Sequence, residues 1–163
     1  MSEASGVGTA VVRVAASKRF AVTLERGYDY ITDLGRWQEY WPNLIRVAPD
    51  SRWSQVGDVA TVTLTLLGRA TELELTLSRI EPYRLVEYTS VQRGLPAAKH
   101  ERHFAEAGTS FDYQVVVAFE PRTAFDRLFV TRAVERMTRQ TVRNLERRFA
   151  ELAVNEGDPY DHA

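Results

Sequence analysis

Two short stretches hold most of the side chains in this sequence that could do chemistry: EYTSVQRG, residues 87–94, and KHERHF, residues 99–104. If the first is a strand, Val86, Tyr88, Ser90 and Gln92 share one face and Glu87, Thr89, Val91 and Arg93 the other. With the first set inward, a phenol, a hydroxyl and an amide project into an apolar interior, where a ligand's oxygens could satisfy them. On the second stretch His100, Arg102 and Phe104 share a face, opposite Glu101 and His103. An inward Arg102 could neutralise a carboxylate or phenolate. Tyr88, Ser90, His100, Arg102 and Tyr113 are therefore the candidate catalytic groups, for acid–base or dehydration chemistry on a bound small molecule. The same residues also fit a structure without a ligand. Ser90 and Gln92 can bond to water or to each other, and Arg102 can reach past the mouth of the sheet to Glu87 or Glu101 at the surface.

Other chemistries find little support. His100 and His103 are three apart, which on a strand sends them to opposite faces, and there is no His-Glu-x-x-His and no cysteine, so no metal site is expected. Ser90, His100 and Asp112 could be drawn as a triad, but no Gly-x-Ser-x-Gly elbow supports it. Neither a P-loop nor a dinucleotide fingerprint is present, and no cofactor is expected.

A third stretch, GRWQEYWPNLIRV from Gly35, places Trp37, Tyr40 and Trp41 within five positions and stops them at Pro42. Trp37 and Trp41 share one face of a helix. They are either a piece of core or the rim of a ligand site.

These residues need a frame. Val11–Leu24 reads as a strand, and Glu25–Asp33 as a helix capped by Thr23 and weakened by Gly27. Trp37–Trp41 reads as a second short helix ended by Pro42. Strands follow over Val59–Leu67, Thr71–Ile80, Leu85–Gln92, Lys99–Glu106 and Phe111–Glu120, separated by turn signals at Gly57-Asp58, Glu81-Pro82, Gly94 and Gly108. In Thr71–Ile80, Leu73, Leu75 and Leu77 alternate with Glu72, Glu74 and Thr76, which means one wet and one dry face. From Arg122 to about Ala153 the chain reads as one amphipathic helix, with Phe125, Phe129, Ala133, Met137, Thr141, Leu145, Phe149 and Leu152 as its apolar stripe. It would run roughly 45–48 Å, enough to cross a whole sheet. The fold class is α+β, an antiparallel meander wrapped on the last helix.

The 163 residues suffice for one domain over 9–153, with small, polar tails at 1–8 and 154–163. Lys and Arg total 21 against 22 Asp and Glu, so no nucleic-acid partner is expected. The arginines of the last helix read as its solvated face. MSEASGVGTA shows no signal-peptide pattern, and no run approaches the roughly 20 apolar residues that span a bilayer. A cytoplasmic protein without stable membrane insertion is expected, as a monomer or homodimer.

The order of elements, together with YDYITDLGRWQEYWPNLIRV, the turn VGD, RIEPYRLVEYTS and the single C-terminal helix, resembles the START/Bet v 1-like helix-grip superfamily. The resemblance is strongest to its polyketide cyclase/dehydrase and lipid-transport (SRPBCC) branch. Asp33, Trp37, Trp41, Pro42, Pro82, Arg84, Leu85 and Ser90 carry it. It implies a cavity between the curved sheet and the last helix, roofed by the two short helices. The expected lining is Trp37, Tyr40, Trp41, Leu73, Leu75, Tyr88, Ser90, Gln92, Arg102, Phe104, Tyr113, Val115, Phe129, Ala133 and Met137. The implied function is binding of an apolar small molecule, ring-containing or acyl. A second reading is a polyketide cyclase/dehydrase, although Gln92 stands where aromatase/cyclase members carry an arginine, and Arg93 is one position out of register. A third is a partner-binding module whose cavity is filled by Phe104, Phe111, Tyr113, Phe119, Phe125 and Phe129.

Overall fold

A chain with five alternating segments and few long connections has to zip neighbour to neighbour, and it does so here. The computed structural model describes residues 10–156. Its strands are β1 (Val12–Phe20), β2 (Leu44–Val47), β3 (Val59–Leu66), β4 (Arg69–Glu81), β5 (Leu85–Val91), β6 (Ala98–Ala107) and β7 (Ser110–Phe119). They form one antiparallel sheet in the order β1-β7-β6-β5-β4-β3-β2. β1 pairs with β7 from Val12 opposite Phe119 to Phe20 opposite Phe111. The chain must therefore travel from one edge of the sheet to the other between β1 and β2. It does so through α1 (Leu24–Thr32), a 3-10 turn (Leu34–Arg36) and α2 (Trp37–Tyr40). After β7 a π-helical turn (Asp126–Val130) leads into α3 (Thr131–Glu156), which packs on β1 and α2. The result is an open, curved sheet gripping one long helix.

Local chemistry explains where the elements start and stop. Thr23 Oγ1 accepts from the Arg26 N–H at 3.5 Å to cap α1, so β1 ends at Phe20 rather than running on to Leu24. Asp33 Oδ1 accepts from the Gly35 N–H at 2.9 Å and opens the 3-10 turn. Gly27 sits on the Phe111 ring: a Cβ there would lie 2.1 Å from a ring carbon, so close packing, not flexibility, requires glycine in α1. Between Leu77 and Arg79 the β4–β5 register shifts by a bulge. The inward set thus passes from Leu73, Leu75 and Leu77 to Ile80 without breaking the strand.

Three differences from expectation have physical causes. β2 is four residues long with an edge position, too short for alternation to show. α3 continues to Glu156, three residues past the expected end at Ala153; the rest of the expected C-terminal tail, and the N-terminal tail at 1–8, lie outside the described residues. The expected helical stripe from Phe125 is also broken. Six consecutive steps of four residues accumulate about 240° of rotation on an α-helix, and the π-helical turn adds a further phase shift. Phe125, Leu128 and Phe129 consequently lie 53%, 45% and 46% exposed.

Among the described residues no helix is long and apolar enough to cross a membrane.

Candidate functional site

The interior divides into a filled end and a hollow end. At the filled end Phe20, Phe111, Tyr113 and Phe149 meet ring to ring, with Phe20 and Phe149 centroids 5.1 Å apart and Phe104 stacked near Phe111 at 6.2 Å. Tyr28 closes on Phe104 at 5.0 Å. These rings come from β1, β6, β7, α1 and α3, and pack directly against one another.

The roof is tied down by polar contacts. Asn144 on α3 donates to the Tyr40 carbonyl at 2.9 Å, and Arg148 pairs with Glu39 at 3.2 Å. Trp37 donates its indole N–H to the Ile31 carbonyl at 3.1 Å and stacks flat on Trp41 at 4.9 Å. Trp53 meets the edge of both Trp37 and Tyr88, at 5.2 Å each.

Where the filled and hollow ends meet lies a buried guanidinium. Arg102 donates to the hydroxyls of Tyr40 at 3.3 Å, Tyr113 at 3.2 Å and Tyr88 at 3.0 Å. Its charge also sits 5.5 Å from the Trp41 ring centroid and 5.6 Å from that of Tyr88. Burial works against the charge, but the three phenol oxygens more than offset it, and the arginine pKa stays above its ordinary value. Burial likewise pushes the Tyr40 and Tyr113 pKa values up, with Arg102 opposing, so both phenols stay protonated at neutral pH.

The hollow end is a cavity of about 130 Å³ between β3–β7 and α3, far above the roughly 10–15 Å³ that one water needs. Leu64, Leu75, Val115, Val117, Val134 and Met137 supply most of its wall. Its polar residues are Tyr88, Ser90, Gln92, His100, Thr138 and Thr141. The Thr141 hydroxyl is turned back onto the Met137 carbonyl at 2.8 Å. Ser90 Oγ and His100 Nε2 lie 2.9 Å apart, a contact that runs across the β5–β6 pair. The imidazole lies flat on Tyr88, centroids 4.5 Å apart and planes 6° apart. Burial, and then the nearby Arg102 charge, pull the His100 pKa down to about 3. The pair is therefore neutral at physiological pH.

Of the expected cavity residues, Trp41, Leu73, Leu75, Tyr88, Ser90, Gln92, Val115 and Met137 stand on the wall. The others are placed elsewhere. Trp37 lies behind Trp41, and Tyr40, Arg102, Phe104 and Tyr113 belong to the filled end and its border. Ala133 is off the wall and Phe129 is on the surface, because the helical stripe is rotated relative to the expected one. Arg102 does not reach out to Glu87 or Glu101, since its inward neighbours are phenols. No Ser-His-Asp triad forms: Asp112 faces outward and pairs with Arg19 at 2.7 Å. His103 also faces outward, 3.6 Å from Glu101, and no three His, Asp or Glu side chains converge among the described residues.

Wall residues not anticipated include Val117, Val130, Val134 and Thr138, and Phe119, expected as a filler of the cavity, stands on its wall. A signal for them existed. Val117 and Phe119 continue the alternation of Val115, and 130, 134, 137, 138 and 141 recur at mixed steps of three and four, the stripe an α-helix can hold to one side.

The sequence from 11 to 150 matches the family described as polyketide cyclase / dehydrase and lipid transport, and the chain belongs to that family. The fold is shared with solved structures at low identity. The Zhui aromatase/cyclase from Streptomyces sp. R1128 is 13% identical with a TM-score of 0.78, covering 91% of this chain and 99% of that one. A START superfamily protein from Mycobacterium smegmatis is 12% identical with a TM-score of 0.74, over 86% and 98% of the two chains. Major latex-like protein 151 from Panax ginseng is 10% identical with a TM-score of 0.70, over 87% and 99%. No protein of curated function matches in sequence.

Proposed function

We propose that this member of the polyketide cyclase/dehydrase and lipid transport family binds an apolar small molecule in the cavity between the sheet and α3. The observation that carries this reading is the contrast between the two ends of the interior. The same sheet and helix are packed solid with aromatic rings at one end and hollow, with aliphatic walls, at the other. An unfilled void costs stability in proportion to its volume, and a chain able to fill one end with rings keeps the other open at that cost. Burial of apolar ligand surface supplies the affinity, at about 25 cal/mol per Å², and the Ser90–His100 pair with Gln92 gives it a polar end to orient on.

The three-phenol clamp supports carriage over catalysis. A developing enolate needs a donor aimed at it from the wall, and Arg102 is not on the wall and directs three of its N–H groups to Tyr40, Tyr88 and Tyr113. One observation favours the second reading, a polyketide cyclase/dehydrase: Tyr88 is on the wall while accepting from Arg102, so its own proton is available to a ligand oxygen. The reading as a partner-binding module with a closed interior has no such support.

Mass spectrometry of the purified protein, first native and then denatured, tests the proposal. A stoichiometric apolar molecule released on denaturation is the expected result. Its fate on incubation, unchanged or shorter by water, separates carrier from cyclase/dehydrase. A protein that stays empty and takes up no apolar compound would overturn both.

A further inference from the structure

We infer that the cavity selects an electrically neutral ligand, an apolar skeleton bearing a hydroxyl or carbonyl group, and excludes the corresponding carboxylate. This deepens the binding reading above and rests on it.

The wall residues include no Lys, Arg, Asp or Glu. Arg102, which bonds to the wall residue Tyr88, is not itself on the wall and gives three of its N–H groups to phenols. A carboxylate entering this space would leave water with no cation on the wall to pair with directly, a costly transfer.

The neutral polar groups of the wall suit a neutral oxygen. Ser90 and His100 share one proton between Oγ and Nε2 at 2.9 Å. With the serine as donor, its oxygen lone pairs accept a ligand hydroxyl; with the imidazole as donor, the serine proton goes to a ligand carbonyl. Either way, one oxygen function is satisfied and no charge is asked of it. His100 resists protonation because burial and Arg102 both disfavour a second cation, so it does not turn into the missing counter-ion near neutral pH. Gln92, one residue past the end of β5, also stands on the wall, and its amide offers a second neutral contact. The wall thus offers donors and acceptors for neutral oxygens and no cation to pair with an anion.

Three ligands of one skeleton test this: 2-naphthalenemethanol, 2-naphthoate and 2-methylnaphthalene, each competed at pH 7.5 against a neutral fluorescent probe, N-phenyl-1-naphthylamine. The alcohol is expected to bind tighter than the carboxylate by at least about tenfold. Replacing Ser90 (Ser90→Ala) is expected to weaken the alcohol by about five- to tenfold while leaving the hydrocarbon unchanged. Carboxylate binding equal to or tighter than the alcohol would overturn this inference and leave the cavity reading standing. If none of the three displaces the probe and the probe itself does not bind, both fall. The wild-type comparison decides the question even if the serine variant folds poorly.

Discussion

Arg102 Nη2 donates to the Tyr88 hydroxyl across 3.0 Å, so a buried guanidinium and a phenol of the cavity wall are a single unit. The same guanidinium holds Tyr40, which α2 carries, and Tyr113, which β7 carries. One side chain therefore fixes roof, sheet and wall together. Replacing Arg102 by alanine removes that stem and leaves the hydroxyls of Tyr88 and Tyr113 without their donor. Tyr40 keeps a partner, because its hydroxyl still reaches the Ile31 carbonyl at 2.6 Å. The expected loss is about 3–5 kcal/mol for Arg102→Ala and about 1–3 kcal/mol for Arg102→Met, which keeps the volume and removes the buried charge. Urea denaturation of both variants checks the order. Equal stability of wild type and Arg102→Ala would mean that the clamp holds nothing together.

Gly27 offers a test with an inverted sign. Glycine to alanine inside a helix ordinarily gains about 1 kcal/mol. Here the new methyl carbon would sit 2.1 Å from the Phe111 ring, which is fully buried among Phe20, Phe104 and Phe149 and has nowhere to swing. Gly27→Ala is expected to cost about 1–3 kcal/mol by displacing α1 or the ring. A rise in melting temperature would contradict the packing described for the filled end.

His100 sets a pH dependence. Its folded pKa is drawn down to about 3 from an ordinary 6.5. Between those values the unfolded chain binds a proton that the folded protein refuses. Its share of stability is whole above pH 6.5 and drains away as pH falls toward 3, amounting to about 1–2 kcal/mol by pH 5. Unfolding free energy measured from pH 7.5 to 5 should therefore decline, and His100→Phe, which keeps a flat ring over Tyr88, should flatten that decline. Asp112 and Asp58, whose pKa values are lowered by Arg19 and by backbone N–H groups respectively, lose their contributions at more acid pH. A slope unchanged by His100→Phe would place the histidine in contact with bulk water.

What the sequence revealed follows from the length over which a pattern repeats. The alternation in β4, β5 and β7 was enough to orient Leu75, Tyr88, Ser90 and Val115 inward, because a period of two leaves no ambiguity once one face is apolar. The four-residue β2 gave no such repeat. The last helix misled for a different reason. Phe129 and Ala133 fit a local four-residue spacing, but the drift of that spacing and the π-helical turn before Thr131 rotate them off the cavity, while Val130 and Val134 face it. The role of Arg102 was only half legible. Alternation turned it inward, yet that it would be occupied by three phenols from α2, β5 and β7 depends on pairings across the sheet and roof, which no local pattern encodes.

Titration of N-phenyl-1-naphthylamine into the wild-type protein and into Met137→Trp decides whether the hollow end takes a ligand. Met137 stands on the cavity wall at a partly buried position of α3, where an indole can enter the void without displacing the packed end. Saturable binding near one dye per chain is expected for the wild type, and at least about tenfold weaker binding for a Met137→Trp variant whose melting temperature is retained. Equal affinity in the two proteins, or no saturable binding in a folded wild type, would contradict a ligand site at the hollow end.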